Sequence, residues 1–207
     1  MKWFLGLLVW VSIASCNEHR SQPSPRPTLV SKDSNLLQSD SVNPYAPVDV
    51  SPMDMSYFPV DYPIQKMSGQ VKNAPIARVI YSRPHRQGRK IFGSLLKYGE
   101  PWRLGANEAT EIEFFQPVSI QEKRVGKGKY IMYTIPYQDK WTIVFNTNLN
   151  SWGLTPNAED DVFKFDVPIQ IASQSIEYFS MVFQATEAGA DLVIAWDNIV
   201  ARLPIQF

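Results

Sequence analysis

The chain of 207 residues balances 20 Lys+Arg against 20 Asp+Glu. It therefore lacks the basic excess by which a general nucleic-acid binder displaces counterions from phosphates. A hydrophobic share of 44% and an aromatic share of 13% suffice for a real core. The one Cys excludes an internal disulfide, and the two His, His19 and His85, leave little for a His-based metal site or a catalytic triad.

Residues 1–15 read as a leader. Lys2 supplies a positive start, and the apolar run from Trp3 to Ile13 is too short for a comfortable membrane span. Small residues then precede a cysteine: Ile13, Ala14, Ser15, Cys16. This pattern resembles a lipobox, which implies cleavage before Cys16 and a diacylglycerol on its sulfur. The other reading is an ordinary secretory signal with an incidental Cys. Acyl chains on Cys16 would hold a small domain at a membrane, each buried methylene adding about 0.8 kcal/mol. The expected address is the bacterial cell envelope, at the outer membrane, with the domain outside the cytoplasm.

Residues 16–67 read as a tether. Pro23, Pro25, Pro27, Pro44, Pro47, Pro52, Pro59 and Pro63 are half of the chain's 16 prolines. Ser and Asn fill much of the rest, and apolar residues show no period until Tyr57 and Phe58. Such a segment buries too little to offset its ordering entropy. Its aromatic end at 57–62 has the composition to pack onto the domain.

The domain is expected over 68–207, and its pattern is that of strands. Runs rich in β-branched and aromatic residues, several alternating, fall at 77–82, 110–115, 130–135, 141–146, 162–167, 176–183, 192–196 and 199–205. Turns are expected at 126–128, 138–140, 148–153, 172–175, 187–189 and 197–198. The fold class predicted is all-β: an antiparallel sandwich or jelly-roll of about seven or eight strands, with a partly open barrel as the alternative.

Longer strings resemble a known family. They are Tyr81-Ser82-Arg83-Pro84, Gly88-Arg89-Lys90-Ile91-Phe92-Gly93, Tyr98-Gly99, Trp102-Arg103 and Gly105-Ala106-Asn107-Glu108-Ala109-Thr110. Later strings agree, among them Thr134-Ile135-Pro136, Trp141-Thr142-Ile143 and Trp152-Gly153. Together they are similar to domain of unknown function 2911, a bacterial family usually found behind an export signal. One departure is Gly126-Lys127-Gly128, where the family usually has Pro-Ala-Gly. The resemblance spans about residues 70–205 and brings no activity to carry over.

Between the first two strand runs lies a connection of about twenty-five residues, rich in Gly, Arg and aromatics. Long ordered loops often carry function. Arg83, Arg89 and Arg103 offer planar donor forks for carboxylate, phosphate or sugar hydroxyls. Trp102 and Trp152 offer stacking faces for a sugar ring, while Asn107 and Glu108 add polar contacts. Each has a structural alternative. Arg103 and Glu108 make an internal ion pair, Asn107 caps a turn, Gly93 and Gly105 serve positive φ, and Trp102 is core.

Enzyme signals are weak. GxSxG, HExxH, P-loop and dinucleotide-binding patterns are all missing. Glu111 and Glu113 share one strand face at about 7 Å, within glycosidase range, but an exposed sheet face explains them more simply. Glu159, Asp160 and Asp161 fit no calcium-loop spacing and read as a solvated turn. No cofactor or metal is expected. Three functions stay open: a binding module for an envelope glycan or small anionic ligand, a structural or protein-interaction lipoprotein, and a hydrolytic enzyme.

Overall fold

The computed structural model describes residues 49–207. The leader at 1–15, Cys16 and the tether up to residue 48 lie outside the described residues. The alternation read from the sequence returns as alternating burial. Strand β2 (Ala77–Ser82) buries Ala77, Val79 and Tyr81, and β3 (Thr110–Phe114) buries Thr110, Ile112 and Phe114. On the other face of β3, Glu113 is ion-paired with Arg78, and Glu111 lies 3.7 Å from Lys129. Those two carboxylates are spent on cross-strand pairs, as on an ordinary solvent-facing sheet.

The sheet begins earlier than residue 68. Strand β1 (Met53–Phe58) pairs antiparallel with β2, Met53 opposite Ser82 and Phe58 opposite Ala77. A short helix α1 (Tyr62–Met67) follows, with Pro63 in its first turn, where a missing N–H costs nothing. Composition assigned this stretch to the tether because of its prolines. Pro52 and Pro59 flank β1 rather than interrupt it, and an edge strand needs only one ladder.

A second unexpected hairpin joins β4 (Val118–Ile120) to β5 (Lys123–Val125). Its turn residues Gln121 and Glu122 have φ of 47° and 64°. Left-handed backbone at both central positions suits a tight hairpin, but the Asn-Gly or Asp-Gly signature that marks one is missing. Strands β6 (Gly128–Pro136) and β7 (Lys140–Asn146) form the expected hairpin.

The last two strands are longer than their sequence runs. Strand β8 (Asp161–Thr186) and strand β9 (Gly189–Gln206) absorb the turns expected at 172–175 and 197–198. Both places are irregularities in one ladder: the β8–β9 register shifts on either side of Ile176, which lies opposite Asp197. Asp197 has φ of 52°. Polar residues and a left-handed position mark a bulge here, where a strand bends without ending.

Among the described residues, the nine strands form one antiparallel sheet in the order β1-β2-β3-β6-β7-β8-β9-β4-β5, not closed into a barrel. Strand β8 pairs with β7 as far as Pro168 and with β9 from Ile169 onward. The sheet thereby folds over, and the two halves meet face to face like a sandwich. Tyr81 of β2 touches Phe179 of β8 edge-on at 5.6 Å, and Phe58 of β1 lies 6.2 Å from Phe183 of β8. The core is aromatic, with Trp141, Phe114, Phe145, Phe165 and Phe179 all fully buried.

Candidate functional site

The connection from Arg83 to Ala109 is woven into the fold. Pro84 O accepts from Phe179 N at 3.0 Å, and Arg86 N donates to Glu177 O at 2.8 Å. Trp102 N donates to Thr134 O at 2.7 Å, and Thr134 N donates to Trp102 O at 2.9 Å. Ile91, Phe92, Trp102 and Leu104 point into the core. Trp102 is only 7% exposed and stacks on Trp196 at 5.7 Å, while its indole N–H donates to Gly105 O at 3.1 Å. The core reading of Trp102 is therefore correct, though one edge still reaches a cavity.

That cavity measures about 410 Å³. The loop supplies most of it, with Pro84, His85, Leu96, Trp102 and Arg103 among the lining residues, and Trp196 and Leu154 add to it. The walls are mainly apolar with a few polar groups, the usual makeup of a small-molecule site. Gly153 lets two segments approach here. It has φ of 84°, and a Cβ on it would sit 3.0 Å from both the Ala109 and Arg103 Cβ atoms.

Arg103 is half-buried in this wall. Among the described residues it makes no ion pair, and its buried Nε has no hydrogen-bond partner. The expected contact pair with Glu108 does not form. Glu108 is exposed and acts only through its charge. Burial lowers the guanidinium pKa below the ordinary arginine value, and the Glu108 charge pulls it partway back. A desolvated cation without a partner on an apolar wall has capacity left for an acceptor.

The other singled-out residues scatter. Arg89 lines the cavity, with its Nε donating to Arg86 O at 2.9 Å. Arg83 is outside it, paired with Asp54 at 3.0 Å and lying over the Tyr178 ring at 5.8 Å. Asn107 has φ of 55° and ties the loop to the segment before β1, donating to Asp49 Oδ2 at 2.8 Å and Ser51 O at 3.2 Å. Trp152 is 55% exposed and off the cavity wall, as is Glu108. Of the seven, only Arg89, Trp102 and Arg103 converge.

Residues 62–205 match the family described as Protein of unknown function (DUF2911). The chain belongs to that family. No curated protein and no solved structure matches the chain. The DUF2911 span runs from α1 into β9, so it contains the loop and nearly all of the cavity wall but not β1, Val50 or Ser51.

Within this DUF2911 domain the structure adds Trp196, which sequence reasoning passed over, and gives the lone loop histidine a place. His85 sits edge-on against Tyr178, ring centres 3.9 Å apart, on the cavity wall. Trp196 looked like a core position of a terminal strand, and nothing local marked it for the wall. A second cavity of about 450 Å³ lies beside Arg86, Arg89, Lys90, Tyr98, Gln138 and Asn198. At its base the Asp197 carboxylate accepts from Arg86 Nη1 at 3.4 Å, Ser175 Oγ at 3.1 Å and Ile91 N at 3.3 Å. The bulge in β9 thereby holds the loop in place.

The acidic run also differs from a solvated turn at its last member. Asn157 caps a 3-10 turn at Ala158–Asp160. The side chain of Asp161 is only 3% exposed and accepts from the Tyr133 hydroxyl and Asn146 Nδ2, both at 2.9 Å. Desolvation, together with this bond, raises the Tyr133 pKa. The Asp161 network closes on itself, and no cluster of three potential metal ligands occurs among the described residues.

Proposed function

We propose that the protein is a lipid-anchored binding protein of the bacterial cell envelope, held at the outer membrane through Cys16, whose cavity takes an envelope glycan or small anionic ligand. The observation that carries this reading is Arg103: a partly desolvated guanidinium with no ion-pair partner among the described residues, on the wall of a mainly apolar cavity. A structural role for this arginine would call for a paired carboxylate, as Arg83 has in Asp54. A ligand carboxylate, phosphate or hydroxyl would complete Arg103 instead, while Trp196, Leu96 and Pro84 would face its ring or carbon skeleton.

The test is a thermal-shift screen of glycan fragments and anionic metabolites on wild type and Arg103→Ala. Binding raises the wild-type midpoint by mass action. Arg103→Ala is expected to fold and to lose that shift. A variant that fails to fold, together with no wild-type hit, would overturn the reading and leave Arg103 a structural residue.

A further inference from the structure

The two cavities share one lining residue, Arg89. They differ in character. The first is walled by Trp102, Trp196, Leu95 and Leu96; the second is polar and holds three cations, Arg86, Arg89 and Lys90. Arg86 is balanced by Glu177 at 3.5 Å and Asp197 at 3.4 Å. Arg89 and Lys90 have no carboxylate within ion-pair distance among the described residues. The Arg89 side chain is nonetheless held, since its guanidinium donates to the carbonyl oxygens of His85 and Arg86. Three cations set against the Asp197 and Glu177 carboxylates leave the second cavity a net positive charge of one, carried on the side where Arg89 and Lys90 have no carboxylate partner. Tyr98, Gln138 and Asn198 surround them with polar groups.

We infer that the second cavity is the subsite for the anionic end of an elongated ligand, a phosphate, sulfate or carboxylate, whose apolar or ring portion occupies the first. This rests on the first cavity being a binding site, and it assigns the ligand a class: an amphipathic anion long enough to pass Arg89. Lys90 supplies a mobile point charge to the anion, and Arg89 a positioned donor fork. Arg103 then serves a polar group midway along the ligand rather than its charged end.

Calorimetric titration with 1-naphthyl phosphate, 1-naphthol and inorganic phosphate separates the two ideas. Wild type is expected to bind 1-naphthyl phosphate about tenfold or more tighter than 1-naphthol, the gain of one charge-assisted contact. Lys90→Gln should remove most of that gain and leave 1-naphthol affinity unchanged, because Lys90 lines only the second cavity. Suppose instead that the phosphate gain survives Lys90→Gln and is lost in Arg103→Gln. The anion then sits in the first cavity, and the inference fails while the binding reading stands. If neither naphthyl compound binds wild type, both fail. Inorganic phosphate binding with no contribution from the naphthyl group would also overturn the inference, since the cavities would then act separately.

Discussion

Trp102 and Arg103 are chain neighbours with different duties. Trp102 packs on Trp196, Trp141, Phe179 and Phe92. Trp102→Ala should cost about 3–5 kcal/mol in urea unfolding, the usual range for emptying a large aromatic site. Arg103→Ala removes no contact ion pair and should cost less than about 1 kcal/mol, whereas breaking a buried pair would cost about 3–5 kcal/mol. A cost in that higher range would show that Arg103 holds the fold. Tyr81 supplies a pH test. Burial above all raises its hydroxyl from 10.0 to about 12, with Asp54 adding to the rise and Met181 and Arg83 opposing it. The folded chain thus keeps a proton that the unfolded chain gives up. This contribution is whole below pH 10 and is lost as pH climbs toward 12. Stability measured from pH 9 to 12 should fall less steeply in Tyr81→Phe than in wild type. Equal slopes would show that the hydroxyl titrates alike in both states.

The bulge shared by β8 and β9 is the element that most directly shapes the site. It places the Asp197 carboxylate under the loop, where Arg86, Ser175 and the Ile91 amide converge. Asp197→Ala would leave the Ile91 N–H without its acceptor and Arg86 with Glu177 alone. The expected loss is about 2–3 kcal/mol by urea unfolding, in line with stranding a buried donor and weakening a charged contact. Amide exchange should quicken through residues 86–92 more than in β3, because two of the three partners of this carboxylate, Arg86 and Ile91, belong to the loop. Uniform quickening across the sheet would show that Asp197 supports the strands themselves.

For the molecule entire, two boundaries matter. Cys16→Ala should leave the protein in the aqueous phase of a detergent partition, since acylation of Cys16 is the anchor proposed. Retention in the detergent phase would remove that anchor from the account. Deleting residues 20–48 should leave the thermal midpoint nearly unchanged, as expected of a segment composed like a tether. Deleting 20–60 takes β1 as well. That removes the β1–β2 ladder, the Asp54 partner of Arg83 and the stack of Phe58 on Phe207 at 4.8 Å. The midpoint should then drop by several degrees, about what a loss of 1–2 kcal/mol produces in a domain of this size. Equal midpoints for the two deletions would mean that β1 adds nothing to the sheet.

Local chemistry wrote much of this protein legibly. Alternation at 77–82, 110–115 and 162–167 set strand faces, because a period of two admits only one buried side. The turn around Asp139 announced the β6–β7 hairpin. The family strings ran through the loop that walls the cavity. Other features depend on partners distant in the chain. Strand β1 is a strand because β2 offers it a ladder, and residues 172–175 and 197–198 bend within strands because they face each other across one register shift. The site shows the same division. A loop rich in arginine could be seen from its residues, but Arg83 met Asp54, Asn107 met Asp49, and Arg103 was left open. Charge pairing is a matter of a few ångströms between chain-distant atoms, so only the folded chain could decide which guanidinium met a carboxylate.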